Sequence, residues 1–147
     1  MKQIAIIAAL VALAACGPSG EEHYAAAPQD IPRPPPGSNE QLRAPVSGVD
    51  GLEVIISDVV IPPGAQVPRH FHPGEEFLYV IEGSAVHVQE GQEDIVLKAG
   101  DSYVIPPRAV HSPYGGEDGA RAIVFRVHSA GEPERTLVEV SEETETP

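Results

Sequence analysis

The chain contains 147 residues with a formal net charge of −13 and a single cysteine. So acidic a protein is not expected to bind nucleic acid or to adsorb electrostatically to anionic lipid. One cysteine excludes an intrachain disulfide, and the length predicts one domain with extensions.

The N-terminus is typical of a bacterial export signal. Lys2 is followed by an apolar stretch at residues 4–15, which is too short to span a bilayer and fits a signal peptide at 1–15. Residues 13–16, ending in Cys16, resemble a lipobox, in which the cysteine thiol is lipidated and the preceding peptide is removed. The resemblance implies a lipid anchor on Cys16. Gly17 after it is typical of lipoproteins on the periplasmic face of the outer membrane.

Residues 16–45 are expected to form a lipidated cysteine and a proline-rich tether. Proline is frequent there and no apolar period is visible, so the segment cannot bury enough surface to offset the entropy lost on ordering. Residues 46–140 are predicted to form the folded domain. The acidic residues 141–147 are expected to be a solvated tail.

The predicted domain contains short runs rich in valine and isoleucine, separated by turn signals such as Pro73-Gly74. The runs predict strands at 52–61, 67–72, 77–82, 84–90, 94–98, 102–105, 109–112, 121–128 and 136–140. Short strands at this spacing are typical of an all-β sandwich or barrel, and no stretch has a helical period. Because so small a domain buries a modest core and must hide its strand edges, we expect a homodimer.

Three histidines and a carboxylate follow these strands in a pattern typical of a metal site. His70 and His72 share a face of an extended strand, because side chains alternate with period 2. After a turn, the chain re-enters a strand at Glu76, whose carboxylate can reach the same ion, and His111 follows another apolar run. Imidazole and carboxylate ligands suit iron, manganese, nickel, copper or zinc.

Side-chain alternation also predicts how the remaining strand histidines point. His87 shares a face with Ala85, opposite Val86, and we expect it to point away from the interior. His128 ends the strand at 121–128, and we expect it to be an exposed strand-end residue and not a ligand.

The spacing of these residues resembles the two signatures of the cupin superfamily. The first signature is matched at every defined position by Gly64, His70, His72, Glu76 and Gly83. The second is resembled by Gly100, Pro106 and His111. The resemblance implies a double-stranded β-helix, or jelly-roll barrel. It also implies that the metal ligands are His70, His72, Glu76 and His111.

Arg108 stands where the second signature usually has glycine, and Gly115 where it often has asparagine. Arg108 leaves the turn geometry open, because a non-glycine residue resists positive φ. This arginine either holds an anionic substrate at the barrel mouth or is a solvated turn residue, and Tyr103 and Tyr114 are further candidates for orienting substrate. Glu75 competes with Glu76 as a ligand, although the spacing to the next glycine favours Glu76.

Three functions fit this pattern. The first is a metal-dependent dioxygenase-type enzyme acting on a small chelating molecule, because four protein ligands leave two positions open on an octahedral ion. Iron or manganese is favoured for it, with nickel, copper or zinc as alternatives. The second is a lipoprotein that captures a metal or small ligand without turnover. The third is a cupin whose metal only stabilises the barrel.

Overall fold

The computed structural model describes residues 31–139, and its compact unit begins at Pro32. The expected signal peptide, the lipidation site at Cys16 and the acidic tail lie outside the described residues. These assignments stay predictions, as does the expected homodimer. Within the described range, no helix is long and apolar enough to cross a membrane.

Eight strands account for the regular structure, and residues 31–139 contain no helix. The strands are β1 (Gly37–Pro45), β2 (Leu52–Ile61), β3 (His70–Phe71), β4 (Glu75–His87), β5 (Ile95–Lys98), β6 (Ser102–Ile105), β7 (Tyr114–Ser129) and β8 (Thr136–Leu137). The prediction of an all-β class is confirmed.

Six strands form one antiparallel sheet in the order β1-β2-β7-β4-β5, with β6 also paired to β4, while β3 and β8 form a small second sheet. The long strands β4 and β7 shift register near Val80 and again between Gly83 and Ala85. Such bulges bend a strand pair and let it curl around an interior. At the second bulge, a Cβ on Gly83 would lie 2.1 Å from the carbonyl oxygen of Gly119, so only glycine fits.

Strand β1 falls inside the segment expected to be a tether. It pairs with β2 along its length, from Gly37 opposite Val60 to Pro45 opposite Glu53. Most of its side chains are exposed because it lies at the edge of the sheet, and an edge strand of this kind carries no apolar alternation. The paired part of the domain therefore begins at Gly37 and not at residue 46.

Other stretches also differ from the predicted strands, and β7 begins at Tyr114 and not at residue 121. Residues 77–82 and 84–90 were expected to be separate strands, but β4 continues through the bulge at Gly83. Residues 109–112 form no strand, and His111 instead makes isolated bridges to His70 and Gln89. These bridges bring His111 beside the short strand β3.

The expected orientation of two histidines was wrong. His87 is 2% exposed and lines an interior cavity together with Ala85, so the alternation was correct but the inward face was not the valine face. His128 is 3% exposed. The turn at Gly74 covers this strand end, since a Cβ on Gly74 would lie 2.4 Å from the Cβ of His128.

Candidate metal centre

Three histidines from separate parts of the chain converge in the interior. The ring centroids of His70 and His111 are 4.2 Å apart, those of His70 and His72 are 4.9 Å apart, and those of His72 and His111 are 5.4 Å apart. One ring nitrogen of each lies within 4.8 Å of the others, and all three side chains are buried. The three rings are close enough to share one ion.

Backbone carbonyl groups fix the orientation of all three rings. The acceptors of the Nδ1 hydrogen bonds are the carbonyl oxygens of Pro68 for His70 (2.7 Å), Glu134 for His72 (2.5 Å) and Ala109 for His111 (2.9 Å). Because a carbonyl oxygen only accepts, each Nδ1 carries the proton and each Nε2 keeps its lone pair. Metal-binding histidines are oriented in this way.

Burial keeps the rings of His70 and His72 neutral, as a metal ligand must be. Burial and, after it, the neighbouring His111 lower the pKa of His70 to about 4. Burial also lowers the pKa of His72, against the opposing effect of the Glu76 charge. Neutral imidazole is the form that binds a metal without first losing a proton.

Glu76 lies beside His72 with its carboxylate facing two partners, and it is not among the residues whose ligand atoms all lie within 4.8 Å of one another. Its Oε2 is 2.7 Å from Nε of Arg126 and 3.0 Å from Nε2 of His72. Burial has the largest single effect on Glu76 and alone would raise its pKa, but the charge of Arg126, the neighbouring His72 and His111 and the hydrogen bond from Arg126 together outweigh it, so the net pKa is lowered. The carboxylate is therefore an anion. Glu75, its neighbour in β4, points to the opposite side of the strand.

The contact between His72 and Glu76 has the chemistry of a cation site that holds no proton. Nε2 of His72 is buried and has no hydrogen-bond partner among the described residues, although Oε2 of Glu76 is 3.0 Å away. Both atoms present lone pairs, so no proton lies between them and their approach is unfavourable. A bound cation would satisfy both atoms. The three imidazole nitrogens of the cluster, with the carboxylate of Glu76 next to His72, are donors that suit a transition metal.

Arg126 is a site residue that the sequence analysis missed. It is 5% exposed, and besides Glu76 its Nη1 lies 2.9 Å from Oε1 of Glu134 and 3.2 Å from Oγ of Ser57. A signal was present, because alternation places Arg126 on the same face of β7 as the buried Val124. A charged residue on the inward face of a strand needs a partner of opposite charge in the interior.

A cavity of about 120 Å³ adjoins the three histidines. Most of its other lining side chains are aliphatic, and they include Leu78, Val80, Leu97 and Ile105. His87 also lines the cavity, with Nε2 3.2 Å from Oε1 of Gln89, and burial lowers its pKa. An apolar cavity with a few polar groups is typical of small-molecule sites.

The three residues expected to orient substrate do not line this cavity within the described part of the chain. Arg108 is exposed, with its guanidinium 4.9 Å from the centre of the Phe71 ring, and it adopts φ 62°, so the turn keeps the conformation that usually selects glycine. The Tyr103 hydroxyl donates to Gln92 at 3.3 Å. Tyr114 begins β7 and is half-buried.

Fold and site define a small jelly-roll barrel with a histidine-rich metal centre. Residues 57–127 match the family model described as a cupin domain. This segment is similar to the cupin superfamily over just under half of the chain, and it contains both of the signatures found in the sequence.

Among the curated proteins that are similar to this chain are dioxygenases. A 3-hydroxyanthranilate 3,4-dioxygenase of Burkholderia cenocepacia is 35% identical over 73 residues, covering 48% of this chain and 41% of that protein. The chain spans less than half the length of the curated relatives that it matches.

Two solved structures share the fold. A cupin-like protein from Thermotoga maritima has a TM-score of 0.52 at 25% identity, covering 69% of this chain and 77% of that one. A DMSP lyase from Ruegeria pomeroyi has a TM-score of 0.51 at 26% identity, covering 61% and 44%. The predicted jelly-roll fold is confirmed.

Proposed function

We propose that this protein is a metal-dependent oxygenase-type enzyme acting on a small chelating molecule. The observation that carries the proposal is the pair of facing lone pairs on His72 and Glu76, at the wall of a cavity that adjoins the other two histidines. The similarity to a dioxygenase supports the reaction class, over less than half of that enzyme's length.

His70, His72 and His111 would hold the metal through Nε2, with Glu76 as the fourth ligand. A bound metal would supply Lewis-acid chemistry, polarising an oxygen of the substrate. Iron or manganese is favoured because four protein ligands leave two positions of an octahedral ion for a chelating substrate or dioxygen. Nickel, copper and zinc suit the same donor atoms.

Residues around the ligands have separate tasks. Arg126 keeps Glu76 ionised and holds one face of its carboxylate through the 2.7 Å hydrogen bond. The aliphatic lining, including Leu78 and Ile105, packs against the apolar body of the substrate and excludes water. A cavity of about 120 Å³ limits the substrate to a small molecule.

The experiment is elemental analysis of the purified protein, followed by oxygen uptake with catechols, flavonols and diketones after loading with Fe²⁺ or Mn²⁺. We expect uptake in the wild type and none in His72→Ala. His128→Ala is the matched control, because His128 is equally buried but is not part of the three-histidine cluster. Binding of metal and ligand without oxygen consumption would identify a capture protein instead. Failure to bind any transition metal would contradict the enzyme and the capture protein alike.

We further propose that the protein is exported and held by lipid on Cys16 at the periplasmic face of the outer membrane. The motif at residues 13–16 supports this location. Cys16→Ala should release the protein from the membrane fraction, and a variant that stays membrane-bound would show that the anchor lies elsewhere.

A further inference from the structure

Residues 130–138, here called the strap, follow β7 and run beside the metal centre. The strap returns along β3, where Leu137 pairs with His70 and Thr136 with Phe71. The amide of Val138 adds a hydrogen bond to the carbonyl oxygen of Arg69 at 2.9 Å. The strap therefore lies against the short strand that carries one of the three histidines.

Glu134 joins the strap to three parts of the site. Its carbonyl oxygen accepts the hydrogen bond from Nδ1 of His72 at 2.5 Å. Its carboxylate Oε1 lies 2.9 Å from Nη1 of Arg126 and accepts a hydrogen bond from Oγ of Ser38 at 3.1 Å. Glu134 also lines the cavity, together with Ser38 at the start of β1 and the exposed Arg135. One residue thus touches a ligand ring, the arginine that holds Glu76, and the cavity rim.

The strap is lightly attached elsewhere. Its side chains are exposed except for those of Glu134 and Val138, and its strand β8 has two residues. Segments with few buried apolar contacts open at the lowest free energy. The contacts of Glu134 are consequently a large share of what holds this segment over the cavity.

We propose that Glu134 is a positioning residue that couples closure of the strap to the geometry of the metal centre. This inference rests on the proposed metal site. Opening of the strap removes the Nδ1 acceptor of His72 and, in the same movement, the carboxylate that offsets the positive charge of Arg126 near the metal. The open form binds metal more weakly for both reasons. By thermodynamic reciprocity, a bound metal favours the closed strap by the same factor.

Hydrogen exchange measured by mass spectrometry tests the coupling on the purified full chain, with and without Zn²⁺. We expect Zn²⁺ to slow exchange of the amides at 130–138 by about tenfold or more, and to leave the exposed loop at 90–94 unchanged. Glu134→Ala keeps the backbone carbonyl that accepts from His72 but loses the carboxylate contacts with Arg126 and Ser38 that hold the strap closed. It should lose this protection and bind Zn²⁺ about tenfold more weakly, which is the lower end of the loss seen when a partner behind a ligand is displaced.

Glu132→Ala is the matched control, because Glu132 is an exposed strap residue whose side chain has no hydrogen bond or ion pair within residues 31–139. It should bind Zn²⁺ within about twofold of the wild type and keep the protection. Glu134→Gln should fall between the two, since it retains an acceptor for Ser38 but not the charge opposite Arg126.

The outcomes separate this inference from the proposed function. Zn²⁺ binding with unchanged exchange in the strap, or with wild-type affinity in Glu134→Ala, would overturn the coupling and leave the metal centre standing. No Zn²⁺, Fe²⁺ or Mn²⁺ binding by the wild type would overturn both.

Discussion

Strand β7 carries two buried arginines, and their surroundings differ in kind. Arg121 is 4% exposed and Arg126 is 5% exposed. They are five residues apart in a strand that pairs with β2 without a register shift, so they lie on opposite faces of the sheet. Because the two arginines are similarly buried on one strand, their hydrogen-bond partners can be compared directly.

Arg121 is surrounded by acceptors that complete its hydrogen bonding. Nε and Nη2 contact both carboxylate oxygens of Asp58 at 2.7–3.2 Å, Nη1 contacts Glu82 at 2.9 Å, and Nη2 contacts the carbonyl oxygen of Pro32 at 3.1 Å. These contacts connect β2, β4 and β7 with the segment that precedes β1. The cluster has the saturated geometry of a structural ion pair.

Arg126 also contacts two carboxylates, but its partner Glu76 faces the free lone pair of His72 at 3.0 Å. One polar atom beside the Arg126 cluster, Nε2 of His72, therefore lacks a hydrogen-bond partner, whereas the carboxylates around Arg121 are paired with its guanidinium. A buried polar atom without a hydrogen-bond partner costs stability. Such an atom is retained where a bound ligand supplies the missing partner. The comparison separates a cluster whose charges are paired within the fold from one whose unpaired atoms a cation would satisfy.

The largest effect is expected from Arg121→Met. It leaves the buried carboxylate of Asp58 without its cation, and removing one partner of a buried pair costs about 3–5 kcal/mol of unfolding free energy. The midpoint of thermal unfolding should fall by more than about 10 °C, both with and without metal. Arg121→Lys, which keeps the charge but not the planar fork, should lose less. A metal-dependent loss would show that the two clusters are not independent.

Arg126→Met should destabilise the metal-free protein by a smaller amount, about 1.5–3 kcal/mol, because Glu76 can accept a proton once its cation is gone. Added Zn²⁺ should restore most of this loss, since the metal replaces the missing positive charge beside Glu76. Thermal unfolding with and without Zn²⁺ measures both quantities. An equal loss in the two conditions would mean that Arg126 is a structural residue like Arg121.

The same contrast explains how far the sequence predicts the site. His70 and His72 are two residues apart in the chain, so spacing alone predicts that they lie close together, and the cupin signatures add Glu76 and His111. Arg126 is 50 residues from Glu76 in the chain, and the two meet only through the register of β4 and β7. A contact that depends on strand register over such a distance leaves no local pattern.

Glu134 and β1 were missed for related reasons. Glu134 reaches His72 from 62 residues away, and it does so through its backbone carbonyl, which every residue possesses. Strand β1 exposes most of its side chains, so its pairing with β2 is invisible to a search for apolar alternation. The inward face at His87 was misjudged because valine is ordinarily the buried residue, whereas this interior contains a polar site.

Lowering the pH is expected to have the smallest effect on the stability of the protein. The pKa of His70 is about 4 in the folded protein against 6.5 for the ordinary side chain, because burial disfavours its charged form. The unfolded chain therefore binds the proton first as the pH falls. Stability from this group is complete above about pH 6.5 and is lost between about pH 6.5 and 4. At pH 5 the loss relative to pH 7 is at most about 2 kcal/mol.

Chemical denaturation of metal-free protein at pH 7, 6 and 5 measures this slope. His70→Gln should flatten the slope, because the titrating group is gone, while Arg121→Met should leave it unchanged, because no histidine contacts the Arg121 cluster within residues 31–139. Zn²⁺ should steepen the wild-type dependence, since proton and metal compete for the same histidines. If His70→Gln kept the full slope, the neutral His70 ring would not be the source of the acid sensitivity, and His72 and His87, whose pKa values burial also lowers, would be the next groups to replace.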